Sequence, residues 1–289
     1  MSSRPDATLV STHRILGADL RCWTYPAAGA PAGTILAVHG FRGDHHGLQL
    51  LVDALPEYAV VVPDLPGFGY STPMRGTAHD AAGYAVAVRE LAGQLGLGPS
   101  TTLLGHSFGT LVAARLLADH PGSFRRLVLV NPICEPALEG SNALMSKAAG
   151  VFYAVGSMLP AALGEPLLRW RLISDLMSLA MTKSRHRAVR SYVKDQHRRY
   201  FSRFNGRDTL REAYASSISG TVLQVAPQIP VPTLLVAGAL DELGSVAGQR
   251  RLAAGFRSAD LRVIEGVGHL IHYEKPLEAA GHIREFLTR

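Results

Sequence analysis

Short, mostly continuous apolar runs recur along the chain at Thr34–Val38, Ala59–Val62, Thr102–Leu104, Leu127–Val130, Thr233–Ala237 and Asp260–Ile264. Runs of this length without polar alternation predict strands buried on both faces. Between them, helical spacing of apolar positions predicts helices over Gly47–Leu55, Ala78–Leu95, Phe108–Asp119, Val246–Phe256 and Pro276–Leu287. Thr8–Ser11 and Asp19–Tyr25, around a turn at Gly17-Ala18, predict an opening hairpin. Strand and helix patterns alternate, which argues for an α/β fold, a mostly parallel central sheet with helices on both faces. The alternation stops at Asn131-Pro132. Residues 133–217 carry only helical patterns, roughly Asn142–Met158, Pro166–Met181, Ser184–Phe201 and Thr209–Ser217. The predicted organisation is therefore a core made of residues 1–132 and 218–289, with a helical cap inserted at residues 133–217.

Composition changes this picture little. With 289 residues, 47% hydrophobic and 18% charged, the chain suits an ordinary soluble globular protein with a sizeable core. Met1-Ser2-Ser3-Arg4-Pro5-Asp6 leads into no apolar segment of the kind a secretory signal needs. Cys22 and Cys134 are far apart, which predicts two unpaired buried thiols in a reducing cytoplasm. No Cys/His spacing resembles a zinc site. Charge is more telling. Lys183–Arg211 holds ten Lys/Arg against Asp195 and Asp208, so this one segment carries +8 of a chain whose net charge is +6. The rest of the chain is −2.

The candidate chemistry centres on Gly105-His106-Ser107-Phe108-Gly109, which follows an apolar strand pattern and opens a helical one. In that setting Gly-x-Ser-x-Gly is a nucleophile elbow: a turn so tight that a Cβ at the flanking positions would clash, holding a serine clear of the backbone at a helix N-terminus. A serine nucleophile needs a base, and the base an orienting acid. Asp241 and His269 both lie a few residues past predicted strands, on the sheet edge where Ser107 falls, and in the order serine, acid, histidine. Glu242 is a rival for the acid and His272 for the base. His39 and His106 should lie near the site, more as stabilisers of turns than as catalysts. Asp64, with its proline and glycines, should shape a turn. Within Phe41-Arg42-Gly43-Asp44-His45-His46-Gly47, one reading is a polar loop that caps a helix; another places Arg42 or His45 at the pocket entrance. Adjacent His45 and His46 make a poor metal site.

Four motifs occur in order: His39-Gly40-Phe41 after a strand, Asp64-x-Pro66-Gly67-x-Gly69-x-Ser71, the elbow at Ser107, and Asp241 with His269 ahead of Glu274-x-Pro276. Over its whole length the chain resembles a capped esterase/lipase-like serine hydrolase of the α/β-hydrolase fold superfamily. The resemblance implies Ser107 as nucleophile, His269 as base, Asp241 as orienting acid, an oxyanion hole from the backbone N–H groups of Phe41 and Phe108, and no cofactor. Thr110 departs from the pattern, since relatives usually carry Gly or Ala there. The implied reaction is hydrolysis of a carboxylic ester with an apolar portion. Thioesters, lactones, perhydrolysis and carbon–carbon cleavage remain open to the same triad, although the carbon–carbon enzymes usually carry Asn where His106 stands. A ligand-binding protein on a hydrolase fold is the rival from another class.

The cap bears on substrate. Ala148–Gly164 has no charge, and at 17 residues with three Gly and one Pro it is marginal for crossing a membrane. It predicts a helix over the active site in which Val151, Phe152, Val155 and Met158 offer an apolar pocket. In the basic segment Val189, Tyr192, Val193 and Tyr200 form an inward stripe with arginines facing out, either a solvated face or an attraction for anionic lipid or substrate. Charge alone does not make a nucleic-acid site, and none is expected.

Overall fold

The computed structural model describes residues 8–137 and 143–289. Its centre is an eight-stranded sheet: β1 (Leu9–Ile15), β2 (Ala18–Tyr25), β3 (Thr34–Val38), β4 (Ala59–Pro63), β5 (Thr102–His106), β6 (Arg126–Val130), β7 (Thr233–Gly238) and β8 (Ala259–Ile264). The strand order is β1-β2-β4-β3-β5-β6-β7-β8. The β1–β2 and β2–β4 pairings are antiparallel and the rest parallel. The opening hairpin is longer than its sequence suggested, because its first strand continues through Ile15.

Alternation along the buried strands sorts side chains to two faces. Leu36, Val38, Leu103, Leu127, Leu129 and Leu235 join one core with α2 (Ala81–Gln94) and α3 (Phe108–Asp119), after α1 (Gln49–Asp53) in chain order. Ile35, Ala37, Leu104, Val128, Val130, Leu234 and Val236 join the other, where α1 supplies Leu51 and Val52. Both faces are covered, which is why these strands read as unbroken apolar runs. The predicted helix Gly47–Leu55 divides into a 3₁₀ turn at His45–Leu48, capped by the Asp44 side chain, and then α1. The direction in which successive strands are added to the sheet reverses at β3 and β5, parallel neighbours although β4 lies between them in sequence. At such a switch point the loops leaving the two strands part and open a crevice.

Between β6 and β7 lie five helices: α4 (Ala143–Met158), α5 (Ala161–Leu168), α6 (Arg171–Met181), α7 (Arg187–Tyr200) and α8 (Arg207–Ser219). After β7 come α9 (Val246–Gly255), α10 (Ile271–Glu274) and α11 (Pro276–Leu287). The helix predicted as Pro166–Met181 is two helices. The first begins at Ala161, and Trp170 in extended conformation separates it from α6. Asn142, the predicted start of the first cap helix, lies outside the described residues, as do Met1–Asp6. The charge-free run Ala148–Gly164 is broken at Pro160, which precedes α5. Among the described residues no helix is long and apolar enough to cross a membrane.

Arginine side chains tie the insertion together and to the core. The Arg42 guanidinium donates to the carbonyls of Leu168 (3.0 Å) and Phe201 (2.9 Å) and to the Tyr153 hydroxyl (3.4 Å). Leu168 closes α5 and Phe201 follows α7, so one cation caps the negative ends of two helices. Arg207 donates in the same way to Gly156 and Leu159 at the end of α4.

Candidate active site

Ser107 joins β5 to α3 with φ 52° and ψ −120°, a left-handed conformation costly for a non-glycine residue. The surroundings enforce it. A Cβ on Gly105 would run into the Gly109 carbonyl, and one on Gly109 into the Val38 carbonyl, so β5, α3 and β3 close on one another only through glycine. The Ser107 N–H donates to Val130 O (3.0 Å), while its carbonyl accepts from Thr110 N (2.8 Å) and Thr110 Oγ1 (2.6 Å). The same hydroxyl accepts from Ile133 N at 3.3 Å. Thr110 thus stitches the elbow to the start of the insertion, a bond that Gly or Ala could not make.

His269, beyond β8, places Nε2 2.7 Å from Ser107 Oγ. Its Nδ1 lies 3.1 and 3.0 Å from the two carboxylate oxygens of Asp241, which follows β7. The consistent proton arrangement has the serine hydroxyl donating to Nε2 and Nδ1–H donating to the carboxylate. Burial alone would lower the imidazole's pKa; the Asp241 carboxylate outweighs it, and the pKa stands above its ordinary value. For Asp241, burial pushes upward but is outweighed by His269, Asn131 and the Leu243 N–H, so the carboxyl lies below its ordinary range. Glu242, the rival acid, forms an ion pair with Lys183 instead. His272, the rival base, packs its ring 4.0 Å from that of His106, and burial drives its pKa well down.

The sequence reading missed Asn131. It directly follows β6 with φ 48°, and its Nδ2 donates to Asp241 Oδ2 at 2.5 Å and to Gly268 O at 3.2 Å. One buried amide thereby spans the loops that carry Asp241 and His269. The only signal available was an Asn-Pro pair just past a predicted strand.

Phe108 is the first residue of α3, so its N–H belongs to the unpaired donors of a helix start. Phe41 follows Gly40, where a Cβ would stand 3.1 Å from the Ser107 Cβ. Its ring packs edge-on against Phe68 and Tyr153. Both N–H groups therefore belong to backbone that lies against or directly follows the serine.

Other predicted contacts are placed differently. His39 is buried, with Nδ1 donating to Gly40 O (2.8 Å) and Nε2 accepting from Leu65 N (2.9 Å), so neither nitrogen is left for a substrate. Burial also lowers its pKa. His106 is buried too and donates from Nε2 to His269 O at 3.4 Å; burial, then repulsion from His269, takes its pKa to about 3. Arg42, predicted at the pocket entrance, is fully buried beneath the insertion. On α4, Phe152 is half-buried against Tyr153, but Val155 is exposed and Met158 is 85% exposed. The inward stripe is Tyr153 with Gly156, because a Cβ on Gly156 would run into the Leu168 side chain and one on Gly164 of α5 into the Gly156 carbonyl. The apolar wall assigned to Val151, Val155 and Met158 therefore faces away.

Asp44, His45 and His46 bring metal-ligand-type atoms within 4.8 Å of one another. His45 Nδ1 is held by Asp64 at 2.9 Å and His46 Nδ1 by Asp44 at 3.2 Å. Their rings stand in a column between two aromatic side chains, Trp23–His45–His46–Tyr200, with centroid spacings of 3.5, 3.8 and 3.8 Å. Trp23 belongs to β2 and Tyr200 to α7, so the column packs these two elements together, with the His45 and His46 planes tilted by 37°.

Several known proteins share this architecture. The chain is 37% identical over 111 residues to the dihydrolipoyllysine-residue acetyltransferase component of the acetoin cleaving system of Cupriavidus necator; the match covers 38% of this chain, which spans about a third of that relative's length (29%). It is 27% identical to the monoglyceride lipase of Homo sapiens, covering 90% of this chain and 82% of that protein. The crystal structure of the enol-lactonase from Burkholderia xenovorans LB400 superposes with a TM-score of 0.79 at 19% identity, covering 96% of this chain and all (100%) of that one. The sequence model of the alpha/beta hydrolase fold matches residues 33–276, and the chain belongs to that family.

Proposed function

We propose that the protein is a serine hydrolase that cleaves a carboxylic ester with an apolar portion through an acyl-enzyme on Ser107. The observation that carries this reading is the 2.7 Å contact of Ser107 Oγ with His269 Nε2, on an imidazole whose other nitrogen is held by Asp241. Ser107 attacks the carbonyl carbon while His269 takes its proton; the imidazolium is stabilised by Asp241 and then protonates the leaving alcohol. A water molecule, deprotonated by the same imidazole, attacks the acyl-enzyme and releases the acid. The developing oxyanion is held by the N–H groups of Phe41 and Phe108, aimed where charge develops. Asn131 is a positioning residue: its amide fixes Asp241 Oδ2, and through it the ring of His269. Every step uses protein side chains, backbone donors and water, without a cofactor.

Residues 133–217 act as the cap, with Arg42 fixing it to the loop that carries Phe41. The substrate's apolar portion lies beneath it against Phe41, Phe152 and Tyr153. Cys22 and Cys134 are buried free thiols, each pushed up to about 12 chiefly by burial, which supports a cytoplasmic setting.

A fluorophosphonate probe tests the reading directly. It should label Ser107 and no other serine, and a short-chain nitrophenyl ester should be turned over by the wild type but not by Ser107→Ala. Label on another serine, or none on protein that hydrolyses the ester, would falsify the assignment.

A further inference from the structure

Helix α6 is amphipathic in the wrong sense for a helix on a soluble protein. Ser174 and Ser178, one turn apart, are 1% and 4% exposed. Leu172, Leu176 and Leu179, the apolar stripe at i, i+4 and i+7, are 46%, 54% and 61% exposed. A surface helix ordinarily turns its apolar stripe to the core. Here the inward face is satisfied by polar contacts: Ser178 Oγ lies 2.7 Å from His197 Nδ1 and donates to Ser174 O at 2.8 Å. Trp170, immediately before α6, is also exposed. Nine of the sixteen exposed large hydrophobic residues among those described lie between Leu144 and Leu179, so the apolar exposure is concentrated in the insertion.

The neighbouring helix supplies the second half of the surface. On α7 the exposed cations Arg187, Arg190, Lys194 and Arg198 fall on one stripe. Lys194 and Arg198 both reach across to Asp175 on α6, at 3.7 and 2.6 Å, so the cationic stripe borders the leucine stripe. Arg187 and Arg190 have no ion pair among the described residues.

We propose that α6, with Trp170 and the α7 cations, forms a docking face for an anionic lipid surface. Leucines beside cations suit the acyl boundary and the headgroups of such a surface together. The charge also decides against the nearest rival occupant. A second copy meeting this face would oppose two segments of +8 each, and like charges repel.

The test uses the full chain, sedimented with vesicles of phosphatidylcholine alone or with a quarter phosphatidylglycerol, at low and at about 0.5 M salt. The wild type should bind the anionic vesicles at low salt at least tenfold more tightly than neutral ones, and high salt should remove the preference. Trp170 fluorescence should shift to the blue on binding, and Trp170→Phe should abolish the shift, since Trp23 sits elsewhere. Arg187→Gln with Arg190→Gln should weaken binding to anionic vesicles by about tenfold or more, at roughly fivefold per cation. Leu176→Gln with Leu179→Gln should weaken it at least as much. Both pairs replace exposed side chains outside the catalytic machinery, so their circular dichroism and any turnover of a soluble short-chain ester should match the wild type. Equal affinity for neutral and anionic vesicles, no binding at low salt, or indifference to both pairs overturns the proposal. So does a wild-type dimer that the leucine pair makes monomeric, for then a second copy covers the face. Binding is read without turnover, so failure of the esterase reading would leave this result standing on its own.

Discussion

The sheet around Ser107 and the helical insertion above it are held by different forces. In the sheet, apolar side chains from β3, β5, β6 and β7 are buried on both faces and nearly all fully excluded from solvent. In the insertion, helix ends are gathered by guanidinium groups from Arg42 and Arg207 and the loop after α7 by that of Arg169, while leucines of α6 face outward. Apolar burial is non-directional and cumulative, so no single core residue defines where the sheet lies. Arginine caps are few and directional. The difference teaches that Ser107 sits on a platform held by many interchangeable apolar contacts, while the helices between β6 and β7 hang on a handful of polar ties.

The largest effect should come from the platform. Ser107→Ala should lower kcat by roughly five to six orders of magnitude and His269→Ala by about as much, because the triad acts as a unit. Both should leave the thermal transition near that of the wild type, and a loss tied to unfolding would erase the contrast between chemistry and scaffold. Asp241→Asn should cost about 10⁴-fold, since the imidazole is left in the wrong tautomer. If Glu242→Gln were the damaging change instead, the assigned acid would be wrong.

Next comes Asn131→Ala, which leaves the triad residues in place but frees the Asp241 carboxylate. A loss of about 10- to 100-fold in kcat is expected, by analogy with other second-tier partners of catalytic groups. A purely structural role would leave the pH profile alone. A positioning role should move the acid limb of kcat/KM, because the amide helps hold Asp241 ionised and oriented towards His269.

The insertion should answer differently. Arg42→Met removes the donor shared by the Leu168 and Phe201 carbonyls, and each carbonyl left unsatisfied costs about 1–3 kcal/mol. Unfolding free energy should fall by about 2–5 kcal/mol, with hydrogen exchange rising in α5 and α7 before it rises in β5. KM should change more than kcat. Unchanged exchange in α5 and α7 would mean that Arg42 does not fasten the insertion.

The smallest effect is a matter of sign. The folded-state pKa of His269 lies above the ordinary value of about 6.5. The linked contribution to stability is fully present below pH ~6.5 and is lost as pH rises through the higher folded value. Activity needs the neutral imidazole and should rise over that same window. Parallel urea titrations and rate measurements across it should therefore run in opposite directions for this group, and a His269→Gln variant should flatten the stability trend.

Much of the fold was legible in the residues. Thr34–Val38 and Pro276–Leu287 begin and end where their patterns do, because burial on both faces leaves an apolar strand no alternative and a proline at the first helical turn fixes a helix start. Gly105 and Gly109 announced the elbow, since the close approach of β5, α3 and β3 excludes any Cβ. The order of Ser107, Asp241 and His269 was readable too, and the geometry brings the three within hydrogen-bonding distance.

What the sequence alone could not decide was orientation across long separations. Asn131 meets Asp241 across 110 residues and Arg42 meets Leu168 across 126; neither pairing has a local pattern, because it depends on which loops the sheet order sets side by side. The face of α4 turned inward was misjudged for the same reason. Periodicity gave the apolar positions, but the contact of Gly156 with Leu168 chose among them. Local chemistry therefore determined the strands, the elbow and the order of Ser107, Asp241 and His269 along the chain. Tertiary packing decided which arginines are buried caps, which leucines face solvent, and which amide holds the acid, since those depend on neighbours that only the assembled fold provides.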